Sequence, residues 1–384
     1  MKTSSASDAV QRPLPVLRAL LDAVDRDVLD LLARRQALIH EMAEQKALGG
    51  RAVHEARHEK AWLTERATRG HELGLPDSLI ESLFRTLRLA DLDVQAKRRA
   101  ASRLPADVKT IAVVGGKGAM GRMMSGMFAD LGHVVLVADV DTETTPEAAV
   151  DAADVVVVSV PIDKTVEVIR KLGPRVKRDA LLMDVTSLKE APTAAMLAST
   201  EASVVGTHPM FGPRVHTLQG QRVVICPSRG APWAEWVRTQ FVARGLVVTE
   251  ATPAQHDRAM AMVQVLTHLQ TEVVGLALSR AGLTLQETLP FTSPVYLIEL
   301  LMVGRHFAQA HELYGQLQML NPHTPEVLSA FEQATQELLS VIRDKNLSRF
   351  REVFAEVRHF LGSFSETALE QSNFLVDRLL ERSA

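Results

Sequence analysis

The chain has 384 residues, 46% of them apolar and 23% charged, which suits two or three globular domains with sizeable cores. A formal charge of −3 without a long basic run argues against nucleic acid as a partner, and the run Lys97-Arg98-Arg99 reads as a solvated helix end. Cys226 is the only cysteine, which excludes an intramolecular disulfide and a cysteine-rich zinc site; the N-terminal stretch has no apolar signal core, and the longest apolar run, around 155–158, is too short for a bilayer, so a cytoplasmic protein without membrane partners is expected.

Residues 1–13 read as a disordered tail. Apolar residues at 17, 21, 24, 28, 31, 38 and 42 then form a helical stripe that Gly49 and Gly50 stop. Such a helix is roughly 45–50 Å long, more than a domain of this size covers alone, so an intertwined dimer is expected. Arg35 and Lys46 interrupt the stripe with inward cations, which call for anionic partners. A second helix is expected from about Val53 to Gly70 and a third from Pro76 to about Arg99. Within the second, His54, Glu55 and His58 spell HExxH, a spacing that binds zinc in some hydrolases, but no third ligand is evident and no metal is expected.

Residues 111–139 read as strand, glycine turn, helix and second strand ending on an acid. Gly116, Gly118 and Gly121 give GxGxxG: the first for the tight turn, the second for approach of a pyrophosphate, the third for helix–strand packing. A helix starting near Ala119 and Met120 aims its free N–H groups at the phosphates. Asp139 can accept both ribose hydroxyls and repels a 2′-phosphate, so the expected cofactor is NAD rather than NADP.

The chain then alternates strands (154–161, 180–187, 202–209, 222–227, 246–251) with helices, and the near-continuous apolar runs fit buried, largely parallel strands. Ser159, Ser187, Lys189 and His208 fall at strand ends, where ligands of such sheets bind. From Thr252 the pattern is helical, with three hydroxyl N-caps before proline: Thr252-Pro253, Ser293-Pro294 and Thr324-Pro325. The stripe Val327, Phe331, Ala334, Leu338 and Val341 reads as core and subunit interface, and Arg305, in the apolar stretch YLIELLMVGRHF, as an anion binder or a structural ion-pair member.

The first hundred residues resemble the all-helical chorismate mutases. The segments VVGGKGAMGR, VSVPI, GTHPMFGP, QHDRAM, SPVYLIELLMVGR and FAQ extend this to a resemblance, over nearly the whole chain, to the bifunctional chorismate mutase/prephenate dehydrogenase family of tyrosine biosynthesis. The resemblance implies a tail (1–13), a helical mutase domain (14–100), a linker (101–108), an α/β Rossmann-like NAD domain (109–251) and an all-α substrate-binding and dimerisation domain (252–384). It implies conversion of chorismate to prephenate, then NAD-dependent oxidative decarboxylation of prephenate to 4-hydroxyphenylpyruvate, by a homodimer.

Residue by residue, it makes Arg18, Arg35 and Lys46 the mutase cations of a pocket that an arginine from the second subunit completes, Glu59 the acid near the ring hydroxyl and Gln95 an ether-oxygen donor. His208 becomes the proton acceptor, Ser187 its partner, Arg305 the carboxylate anchor and His268 a pocket histidine. Three positions depart from the pattern: His58 stands for an arginine, Asp91 for a serine, and Leu297 for a frequent arginine. The first two predict weak mutase activity, Asp91 through like-charge repulsion. The alternatives are a dehydrogenase whose helical domain is only structural or regulatory, and an NAD-sensing protein without chemistry. Tyrosine is a candidate feedback inhibitor, as in many relatives.

Overall fold

The structure is a computed structural model and describes residues 12–48, 56–102, 107–215 and 217–383. Most of the expected tail, residues 1–11, lies outside them. Three helices open the chain: α1 (Leu14–Leu48), α2 (Ala56–Glu72) and α3 (Asp77–Ser102). Helices α1 and α3 pack through buried Ile39, Ala43, Leu92 and Ala96. The N-terminal part of the α1 stripe has no such cover, and Leu17, Leu21, Val24, Val28, Leu31 and Leu38 are 46–63% exposed in a single chain. Apolar surface in that pattern is the sort a second helix covers.

Seven strands follow: β1 (Thr110–Val114), β2 (Val134–Ala138), β3 (Val155–Val158), β4 (Leu181–Asp184), β5 (Ser203–Pro209), β6 (Arg222–Arg229) and β7 (Val247–Glu250). They form one sheet in the order β2-β1-β3-β4-β5-β6-β7, parallel except for the β5/β6 pair. The pleat of β1 sends Ile111 and Val113 to one face, against Met124, Met127 and Phe128 of α4 (Ala119–Asp130). Ala112 and Val114 go to the other, with α5 (Pro146–Ala152), α6 (Ile162–Leu172) and α7 (Glu190–Ser199). Helix α8 (Ala231–Ala243) joins α4's side. All four valines of β3 are buried, each contributing on the order of 1.5–3 kcal/mol. Because β2 and β3 leave β1 on opposite sides, a crevice opens at its C-terminal end.

Beyond the sheet the chain is helical. A continuous run comprises α9 (Pro253–Met260), a π-helical turn (Ala261–Leu266) and α10 (Thr267–Arg280). By length and composition alone this run could cross a bilayer, but it carries buried His256 and Asp257. There follow α11 (Leu285–Thr288), α12 (Pro294–Phe307), α13 (His311–Leu320), α14 (Thr324–Arg343), α15 (Leu347–Leu361) and α16 (Phe364–Ser383). Thr252 closes a reciprocal cap with Gln255, and Ser293 accepts from the Tyr296 N–H. Thr324 does not cap: it is already inside α14, and its hydroxyl donates to the Gln318 carbonyl. Of the α14 stripe, Val327 and Val341 are buried while Leu338 is 38% exposed. With Phe354, Phe360 and Phe364 also exposed, this half presents much apolar surface as a single chain.

Candidate active site

The glycine turn follows β1 directly. Gly115, not Gly116, makes the sharp turn: its φ is +80°, and a Cβ there would lie 2.3 Å from the Ser159 carbonyl oxygen. Gly116 is needed for packing, since its Cβ would meet Val113 O and Val137 Cγ1 at 2.8 Å. Gly121 lets α4 approach, with a virtual Cβ 2.3 Å from Gly115 O. Gly118 sits at the N-cap of α4, where no side chain caps the first turn. The N–H groups of Ala119 and Met120 therefore begin an uncapped helix end suited to an anion. Asp139 Oδ2 accepts the Lys117 N–H at 3.0 Å and Oδ1 the Val140 N–H at 2.9 Å, which holds the carboxylate at the rim of the turn. This cradle fits a dinucleotide.

A cavity of about 660 Å³ adjoins it. Met120 and Ser159 line the end toward the glycine turn; Ser187, His208, His268 and Arg305 line the rest, so six residues singled out in the sequence, from six separate segments, meet in one space. Arg305 is more exposed than expected for a buried anchor in a single chain.

His208 is 3% exposed at the end of β5. Its Nδ1 lies 2.8 Å from His256 Nε2, and His256 Nδ1 lies 2.7 Å from Asp257 Oδ1. Burial, with His256 and then Lys189 adding repulsion, pushes the His208 imidazole well below its ordinary value, so the neutral base is favoured. Ser187 lines the cavity but makes no hydrogen bond to His208; His256 takes that role. Lys189 is fully buried, paired with Asp184 and donating to the Thr207 carbonyl at 2.7 Å, so it ties β4 to β5 instead of reaching the cavity. Burial raises Asp184 although Lys189 opposes the shift.

His256 and Asp257 stand in the QHDRAM segment, whose sequence gave no sign of which strand end it would meet. Other lining groups came without a warning in the sequence. Gln264, on the π-helical turn, has a buried Oε1 with no partner among the described residues. The Tyr314 ring packs 4.7 Å from His268 and 4.0 Å from His306, and His306 Nε2 lies 2.9 Å from Glu272. Burial, then His306, lower His268 from its usual value.

In the helical unit, Arg35 binds Asp91 of α3, and Gln95, one turn further along, is 2% exposed with both amide atoms unpartnered among the described residues. A buried amide without a protein partner leaves its hydrogen-bonding groups open to one from outside the chain. Arg18 is exposed on α1, on the surface a second chain would cover. The side chains of Lys46, His58 and Glu59, and the whole of His54 and Glu55, lie outside the described residues. No cluster of metal ligands occurs among the described residues.

Three family models match: chorismate mutase type II over residues 17–95, the nucleotide-binding domain of prephenate dehydrogenase over 131–250, and the prephenate dehydrogenase dimerization domain over 252–356. The chain is 32% identical over 363 residues to the T-protein of Enterobacter agglomerans, covering 94% of this chain and 97% of that one. It is 31% identical to the T-protein of Haemophilus influenzae, covering 94% and 96%. Among solved structures it resembles prephenate dehydrogenase from A. aeolicus in complex with hydroxyphenyl propionate and NAD+, with a TM-score of 0.53 and 19% identity over 66% of this chain and 96% of that one.

Proposed function

The chain belongs to the bifunctional chorismate mutase/prephenate dehydrogenase family, and from that premise we propose how its residues divide the work. The protein serves tyrosine biosynthesis: the helical unit converts chorismate to prephenate, and the remainder oxidatively decarboxylates prephenate to 4-hydroxyphenylpyruvate with NAD. The end of α3 at Ser102, the start of β1 at Thr110 and the start of α9 at Pro253 support domain boundaries near 100, 108 and 251.

One observation carries the assignment of dehydrogenase residues: His208, Ser187, His268 and Arg305 share a cavity with Met120 and Ser159 beside the glycine turn. NAD, when bound, supplies the hydride acceptor. Gly116, Gly118, Ala119, Met120 and Gly121 hold its phosphates and Asp139 its ribose. Neutral His208 takes the proton of the ring hydroxyl, Ser187 orients that hydroxyl, Arg305 grips a substrate carboxylate and His268 closes the pocket. Aromatisation then drives loss of carbon dioxide. His208, kept uncharged by burial, suits a base that works at neutral pH.

In the mutase half, Arg18 of a second chain, Arg35, Lys46, Glu59 and Gln95 surround the dianion, and the rearrangement needs positioning and electrostatic stabilisation alone. The exposed α1 stripe and the matched dimerization domain support a homodimer. A cytoplasmic location without membrane contact and inhibition by tyrosine in the dehydrogenase pocket complete the reading. Purified protein tested with chorismate, and separately with prephenate and NAD while NADH absorbance is followed, checks both halves; oxidation of prephenate lost in His208→Asn but not in Arg35→Ala is the expected pattern.

A further inference from the structure

Behind His208 lies a buried histidine–aspartate pair that the reaction as described leaves unused. We infer that His256 and Asp257 are positioning residues that set the tautomer of His208 and hold its charge once the substrate proton has arrived, a role that rests on the dehydrogenase reading of the cavity.

The hydrogen-bond directions follow from one end of the chain. Asp257 is 1% exposed; its Oδ1 accepts the Lys189 N–H at 2.8 Å and its Oδ2 the Glu190 N–H at 2.9 Å, where α7 begins. A carboxylate only accepts, so the remaining contact, 2.7 Å from Oδ1, is His256 Nδ1–H donating. A neutral imidazole with its proton on Nδ1 offers a lone pair on Nε2. His208 Nδ1, 2.8 Å from that atom, must therefore carry a proton and donate it. What remains is a lone pair on His208 Nε2, on the ring that lines the cavity.

The same chain serves the charged state. When the hydroxyl O–H bond breaks and Nε2–H forms, His208 becomes an imidazolium whose Nδ1–H still points at His256, and the negative end of the chain is Asp257. Nothing is oxidised in this step, and the proton stays on the imidazole pair. The Asn321 amide, donating to the Asp257 backbone carbonyl at 2.9 Å, anchors the aspartate from the C-terminal end of α13. The arrangement follows the logic of a base oriented by a third group, with an extra imidazole inserted.

The test uses the full-length enzyme with 15N-labelled histidine, together with steady-state kinetics. Wild-type His208 should show the Nδ1–H tautomer. Asp257→Asn, its amide oxygen held in place by the Lys189 N–H, removes the negative end of the chain that balances the imidazolium; prephenate KM should stay within about twofold and kcat should fall by roughly 100-fold or more. His256→Gln, whose carbonyl can accept from His208 Nδ1–H, should keep the tautomer and retain at least about tenfold more turnover than His256→Ala. An Nε2–H tautomer in the wild type, an Asp257→Asn variant with normal kcat, or equal losses for Gln and Ala at 256 would overturn the inference. If Asp257→Asn does not fold, the wild-type tautomer and the pair of 256 variants decide. A wild type with the Nδ1–H tautomer that fails to oxidise prephenate would instead remove the functional reading.

Discussion

Arg35 and Asp91 meet as a two-point ion pair, Nη1 donating to Oδ1 at 2.7 Å and Nη2 to Oδ2, with the Asp91 side chain almost wholly buried. The sequence led us to expect Asp91 to repel a dianionic substrate; the geometry adds a more direct effect. Asp91 already fills the guanidinium fork that a substrate carboxylate would use.

Asp91→Ser should therefore free Arg35 and raise mutase kcat/KM by about tenfold or more, equivalent to ~1.4 kcal/mol, chiefly through a lower KM for chorismate. Dehydrogenase rates should barely move. Unchanged or lower mutase kcat/KM would mean that Asp91 holds Arg35 in its working position.

In the proposed reaction, turnover of prephenate depends on neutral His208. Its value is pushed well below the ordinary histidine range of about 6.5, chiefly by burial, and a lowered value keeps the base neutral to more acid pH. The acid limb of the kcat profile should thus lie below about 6.5, and His208→Asn should lose at least about 100-fold in kcat while still binding NAD. An acid limb above neutrality would point to a different group.

The parts of this site that were legible in the sequence are those carried by local pattern. Four consecutive valines announce β3, the glycine spacing announces the turn and α4, and His208 stands beside a proline at a strand end. The rest depends on contacts the one-dimensional pattern does not encode. His208 reaches His256 across 48 residues and Arg35 reaches Asp91 across 56. Gly115 and Gly116 look alike as letters, and only the backbone path past Ser159 decides which one turns. Lys189 read as a strand-end polar group, yet it folds inward to neutralise Asp184.

Arg305→Ala should raise the prephenate KM, by the equivalent of about 2–3 kcal/mol at most because the residue is exposed in a single chain, and lysine should rescue only part of it for want of a fork. A KM unchanged by Arg305→Ala would place the carboxylate contact elsewhere in the cavity.

Asp139→Ala removes the proposed ribose acceptor and also the brace on the Lys117 N–H. NAD should bind more weakly and the preference for NAD over NADP should shrink, as measured by the two kcat/KM values. An unchanged ratio would show that the carboxylate does not face the ribose.

The π-helical turn at 261–266 fixes the rotational phase of a whole domain. His256 and His268 are separated by twelve residues, which in an unbroken α-helix would set them about 120° apart around the axis; one extra residue absorbed in a wider turn reduces this to about 20°. That is how a single helix can back His208 with one histidine and line the same cavity with another. The phase is set by residue count and not by any side chain there, so deleting exposed Val263 should close the turn into regular α-helix and leave His256 and His268, now eleven residues apart, still about 20° from each other. Inserting one alanine after Val263 should instead swing His268, and everything beyond it, by about 100°, keeping NAD binding in the sheet domain while losing prephenate affinity and self-association together, a pairing of defects that no single pocket substitution would produce.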